Sequence, residues 1–194
     1  MRYIVFIVVS ILLVGCSSKE AMLRTYTLNP TINIPKISNS PYKSKSLKIA
    51  YPTSIRGVVT KRITYSYSDI EDGTYINARW SRASGKLLMS SYIKALEGSR
   101  VFGAILEYTS LADSDYLLES EVYEFYHKIR GDKSHSILSV KFNLVDISNN
   151  RLIKTHKFTY RVPTPTFNAQ GYVEATNIAV GKMSRDMIEW LSEL

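Results

Sequence analysis

Few side chains in this sequence of 194 residues could do chemistry: one cysteine, Cys16, three histidines, and three closely spaced carboxylates at Glu119, Glu121 and Glu124. A metal site needs His or Cys ligands at short fixed spacings, such as two histidines four apart on a helix. His127, His135 and His156 do not have that spacing and fall in strand-like or turn-like stretches. Paired carboxylates can serve as general acid and base, but on an extended strand Glu119 and Glu121 point to the same, solvated face. The sequence holds neither a Gly-rich phosphate loop nor a Gly-x-Ser-x-Gly elbow. An envelope hydrolase therefore ranks last, and the expectation is a protein that is not an enzyme, with no catalytic residues and no metal or other cofactor.

Cys16 remains, and its position is informative. Met1-Arg2 supplies one positive charge, and Tyr3 to Val14 is apolar except for Ser10. A helix of that length spans roughly 18 Å, well short of the roughly 30 Å of bilayer hydrocarbon. A short basic start, an apolar run and a small residue before a cleavage point describe a secretory signal. The ending Leu13-Val14-Gly15-Cys16 resembles the lipobox of bacterial lipoproteins. That resemblance implies a signal peptide over residues 1–15, cleaved after Gly15, and a Cys16 carrying a covalent diacylglycerol and an N-acyl chain such as palmitate. Two chains already hold a protein stably on a membrane, so three make release negligible. Ser17 after the cysteine is compatible with outer-membrane sorting, on the periplasmic face of the cell envelope.

Removing those 15 residues from 194 leaves 179, a length suited to one domain with a real core. The loss of Arg2 lowers the formal charge from +8 to +7, which still favours an acidic partner such as an anionic lipid surface. Nucleic acid is the usual partner of so basic a chain, but an exported lipoprotein does not normally meet it, so no nucleic acid is expected. With Cys16 acylated, no thiol remains for a disulfide.

The elements that must position any site follow from periodicity. Residues 16–46 are rich in Ser, Asn, Lys and Pro and read as a lipidated, flexible tether, interrupted by one short strand at 26–28. Strands are expected at Leu47 to Tyr51, at Ile63 to Tyr67 and Tyr75 to Trp80 in a hairpin whose loop Gly73 closes, and at Val101 to Tyr108. Tyr116 to His127 reads as a long strand with a bulge between Val122 and Phe125; alternation through Leu138 to Leu144 and Leu152 to Val162 adds two more. One helix runs from a Ser84 cap to Glu97 with Gly98 as its stop, and a longer one from about Asn168 to Leu194. The fold class is α+β: a mainly antiparallel sheet packed against two helices, one domain over 47–194.

Several ordered motifs carry a family resemblance. Tyr26-Thr27-Leu28 follows the lipidated cysteine, Ala78-Arg79-Trp80 leads into a helix ending near Glu97-Gly98, Asp115-Tyr116-Leu117-Leu118 opens a strand, and Asp146 precedes a hairpin turn. In these the chain resembles the ABC-type transport auxiliary lipoprotein family, the PqiC-like proteins. It departs at Ser81-Arg82-Ala83-Ser84, where the family often has prolines, so the start of the first helix is less defined. The resemblance implies a non-catalytic lipoprotein subunit of an ABC/MCE-type intermembrane phospholipid transport system, docking or capping an MCE-domain protein that works with an ABC permease and ATPase. The alternative is a periplasmic lipid-binding carrier lipoprotein. Arg79, Trp80, Tyr75 and Trp190 are the candidate partner-binding residues; against that, Trp80 would pack beneath the first helix, and the C-terminal helix with Trp190 has a choice between core packing and homo-oligomer formation.

Overall fold

A computed structural model describes residues 22–35, 37, 39–55, 57 and 59–193. The elements follow in the order β1 (Arg24–Tyr26), β2 (Ser46–Ile49), β3 (Thr53–Ser54), β4 (Arg62–Ser68), β5 (Glu71–Trp80), α1 (Ser84–Ser99), β6 (Ala104–Glu107), β7 (Tyr116–Arg130), β8 (Lys133–Asp146), β9 (Arg151–Pro163) and α2 (Ala169–Ser192). The α+β architecture is as expected, although the sheet is mixed. Strand β7 is its spine. Along one edge it pairs antiparallel with β8, from Tyr116↔Asp146 to Arg130↔Lys133, and β8 carries β9 in turn. The other edge takes three short parallel partners in succession: β2 beside Leu118, β3 beside Val122 and β4 beside Lys128. From these branch β6 on β2, and β5 then β1 on β4.

Local chemistry explains the turns that orient the long strands. Gly131, at φ +55°, and Asp132 form the two-residue connection between Arg130 and Lys133, where a positive φ matches strand twist. The register slips between Val122 and Glu124, as expected, which brings Val122 and Phe125 to the same buried face. Asn168 caps α2, its side-chain oxygen accepting a bond of 3.0 Å from the Gly171 N–H and satisfying one of the helix's free donors.

Both helices cover one face of the sheet. Between the layers lie Trp80 against Phe125 with centroids 5.5 Å apart, Tyr92 against Phe142 at 5.1 Å, and the aliphatic residues Leu88, Leu96, Met183 and Met187. Among the described residues no helix is long and apolar enough to cross a membrane.

Three local expectations need correction. Gly73 does not close the hairpin loop: the turn is at Asp69-Ile70, and Gly73 sits within β5, where the ring of Tyr65 occupies the space a side chain would need. Ala83 rather than Ser84 is at the cap position of α1, without a side-chain cap bond, and the helix passes through Gly98 to end at Arg100, which takes the left-handed conformation at φ +56°. The strand from Val101 is shorter than its pattern, because Gly103 packs against the Lys43 carbonyl, 2.6 Å from where a Cβ would sit, and only Ala104–Glu107 pairs.

The largest correction concerns the tether. The described residues from 22 to 45 pack on the domain as a strap, and the short strand is Arg24–Tyr26, not 26–28. The Asn29 N–H donates to Asn177 Oδ1 at 2.6 Å, Thr31 crosses α2 at Gly181 with its carbonyl 2.6 Å from the missing Cβ, and Ile34 crosses α1 at Gly98. Tyr42 then stacks on Phe102 at 4.8 Å and meets Tyr116 edge-on at 5.0 Å. Leu28, Ile32 and Ile34 alternate with the exposed Asn29, Thr31 and Asn33 and pack against the core, Ile34 at the helix position Gly98, which lacks a side chain. That alternation is present in the sequence, but Pro30, Pro35 and the surrounding Ser and Asn read as a spacer, and only the helices it meets decide that it docks.

Candidate functional site

Cys16 and Gly15 lie outside the described residues. Asp115 ties the strap's end to the start of β7: its carboxylate accepts from Lys45 Nζ at 3.0 Å and from the Ser46 N–H and hydroxyl at 2.8 Å each. Those contacts, the Ser46 N–H first, pull its pKa down to about 2. The Asp-Tyr-x-Leu motif therefore has a structural role here.

The other groups with chemical potential are dispersed. His127, on β7, is fully buried, with Nδ1 2.7 Å from the Tyr75 hydroxyl and its ring stacked on Tyr172 at 5.4 Å. Its Nε2 has no hydrogen-bond partner among the described residues. Burial pushes the imidazole pKa down to about 4, with repulsion from His135 adding to it, and burial raises the Tyr75 phenol to about 12. Both are neutral near pH 7 and form a hydrogen-bonded polar pair against the core. His135 lies beside Arg161, and His156 packs between Phe158 and Trp190. Glu119 accepts from Asn143 and Glu121 from Tyr123, both on the helix-free face as expected. Among the described residues no group of three His, Cys, Asp or Glu side chains could hold a metal ion.

The candidate partner-binding residues do not converge. Trp80 is 0 % exposed and packs against Phe125 and Tyr172, the core position weighed against partner contact. Arg79 is exposed on β5 opposite Thr25 of β1. Tyr75 is half-buried over His127. Trp190 is half-buried at the other end of α2, where Lys154 donates to its carbonyl at 2.5 Å and to that of Glu193, satisfying the helix's last acceptors.

Two further surfaces lie outside the residues expected from the sequence. The helix-free face of the sheet is polar, with a cleft between β4, β5 and β7 lined by Arg62, Thr64, Asp72, Tyr126 and Lys128. The outer edge of β9 pairs with no strand among the described residues and carries Lys154, Lys157 and Arg161, charges that discourage indiscriminate strand pairing. The alternation of charged and apolar residues in β8 and β9 was the signal available for the polar face; an unpaired edge leaves none.

No protein-family model and no curated protein matches the chain. Solved structures share its fold. A protein of Xanthomonas campestris bearing the DUF330 family model superposes with a TM-score of 0.76 at 22% identity, over 87% of this chain and 95% of its own. A second protein, described as uncharacterized, gives 0.67 at 16% identity over 88% and 99%. A PelC dodecamer from Paraburkholderia phytofirmans gives 0.52 at 12% identity over 79% and 91%. At these identities the likeness is one of fold.

Proposed function

We propose that the chain is a non-catalytic lipoprotein, held by an acylated Cys16 on the periplasmic face of the envelope, at the outer membrane, and that it serves an ABC/MCE-type lipid transporter as the subunit that docks the MCE component. The single observation that carries this reading is Leu13-Val14-Gly15-Cys16 closing a short apolar run ahead of the folded domain. The DUF330 fold likeness supports it, and the PelC dodecamer supports a ring of several copies as the form that meets the partner. The helix-free sheet face and the β9 edge are the surfaces open to such contacts. The carrier alternative has less support, because Trp80, Tyr92, Phe142 and Tyr172 fill the space between sheet and helices where an acyl chain would lie.

The test is affinity purification of the acylated protein from its own envelope. An MCE protein should co-purify and be lost with charge reversals on the β9 edge such as Lys157→Glu. Isolation of the intact transporter without this subunit overturns the assignment. Retention of phospholipid by a soluble Cys16→Ser form in native mass spectrometry would favour the carrier instead.

A further inference from the structure

One end of the sheet collects exposed apolar side chains around the point where the chain enters the fold. Strand β1 runs parallel to β5 with Arg24 opposite Ala78, so the chain before it heads toward the β4–β5 turn. Carried back two residues, that register sets Met22 beside Ile76. Between Thr74 and Arg79, β5 bulges away from β4, and Ile76 projects from the bulge 95 % exposed. Ile70, at the tip of the turn, is 99 % exposed, and Met22 is 79 % exposed.

The same end holds the other tips. Asp69 bonds Arg130 at 2.8 Å and Lys128 at 3.4 Å, which ties the β4–β5 turn to the β7–β8 turn. Thr164 donates its N–H to the Ser134 carbonyl at 3.0 Å, bringing the loop that carries half-exposed Phe167 to this end as well. Single exposed apolar residues are ordinary on a protein surface, and Ile147 and Leu152 are exposed at the far end too; what sets Ile70, Ile76, Met22 and Phe167 apart is that they share the end where the chain enters.

We infer that this end of the domain rests on the bilayer that holds the anchor, with Ile70, Ile76, Met22 and Phe167 inserted at the boundary between headgroups and acyl chains. The inference rests on the lipid-anchor reading above. Only residues 17–21 separate Cys16 from Met22, a reach of at most about 20 Å when fully extended. The β9 strand alone, at about 3.3 Å per residue, is roughly 40 Å long. A tether shorter than the body it holds keeps the chain-entry end nearest the membrane. Charge does not drive the contact, since the three cations on these turns, Lys128, Arg130 and Lys133, face four carboxylates, Asp69, Glu71, Asp72 and Asp132. The occupant is therefore an apolar boundary, and the contact should survive high salt.

The chain has a single cysteine, so once Cys16 is acylated any introduced cysteine is the only free thiol. The full acylated protein carrying Ile70→Cys, Ile76→Cys or Leu152→Cys is labelled with an environment-sensitive fluorophore. It is then reconstituted into phosphatidylethanolamine/phosphatidylglycerol vesicles doped with headgroup-region nitroxide lipid. Leu152 sits at the opposite end of β9 from Pro163 and serves as the distant control. Labels at 70 and 76 should be blue-shifted and quenched severalfold more than the label at 152, in low and high salt alike. Equal quenching at 76 and 152, in protein whose mass confirms acylation, overturns the membrane contact and leaves the anchor standing. A blue shift at 76 without quenching means that protein, not lipid, covers the site, and also overturns it. Protein that mass spectrometry finds without acyl chains refutes the anchor reading and this inference with it.

Discussion

The two faces of the β7–β8–β9 ribbon are made by the same residues in alternation, yet they differ in kind. On the helix-covered side, ring contacts form two groups, Trp80 and Tyr172 with Phe125 and His127, and Tyr92 with Phe142 and Phe158. On the bare side, Glu119–Asn143, Asn143–Thr155, Ser139–Thr159 and Lys157 over Tyr123 make a lattice of shallow polar contacts. One side therefore holds the fold together by excluding water, while the other presents polar groups outward. The bulge after Val122 matters to both, since it keeps Val122 and Phe125 on the covered side although they lie three residues apart.

The contrast is testable by substitutions of decreasing expected effect. Phe142→Ala, on the covered side, should cost about 3–5 kcal/mol through lost burial and the cavity left behind. Chemical denaturation of the soluble Cys16→Ser form measures it, and a cost below about 1 kcal/mol would mean that the layer is looser than described.

His127 on the same side gives a pH signature. Its pKa falls from 6.5 in the unfolded chain to about 4 in the folded one. Between those values the unfolded chain binds more protons, so stability is full above pH 6.5, declines as pH falls through the window, and is lost by about 3 kcal/mol below pH 4, at roughly 1.4 kcal/mol per pH unit. His127→Gln should flatten that part of a melting-temperature profile. Asp115 adds its own decline only below its ordinary value of 3.8, since its folded pKa is the depressed one.

Gly181→Ala tests the strap, which lies on the outer side of the helices. If the strap were loosely held, the change would stabilise α2 by about 1 kcal/mol through helix propensity. Because a Cβ there meets the Thr31 carbonyl at 2.6 Å, the expected outcome is the opposite: lower stability and faster proteolytic cutting between residues 22 and 45. The smallest effect belongs to the bare face. Lys157→Ala removes a cation held 4.1 Å from the Tyr123 ring centroid and should cost no more than about 0.5–1 kcal/mol. A larger loss would mean that this face is covered in solution, and analytical ultracentrifugation of the same sample would reveal the second copy.

Much of this was legible beforehand, and the exceptions share a cause. The long alternating runs of β7, β8 and β9, the bulge in β7 and the span of α2 follow from patterns that repeat every two or every three to four residues, and the structure has them. In the sequence Gly73 and Gly98 read as local stops, the usual meaning of a glycine between two patterns. Both instead make room for distant side chains, Tyr65 and Ile34. Trp80 stood out as a motif residue, but nothing near it in the chain indicates that Phe125 and Tyr172 bury it.

The sequence by itself determined the short apolar run ending in Leu-Val-Gly-Cys, the count of one cysteine and three histidines, and the order of strands and helices, because each is read from the chain itself. Only the tertiary structure decided that residues 22–45 are strapped to the helices, that β7 shares one edge among three short strands, that His127 is buried neutral, and that Ile70 and Ile76 stand at the end where the chain enters. Those features arise from contacts between residues far apart in the chain, such as Asn29 with Asn177 across 148 positions. Such contacts depend on the shape of the packed surfaces, which local periodicity does not carry.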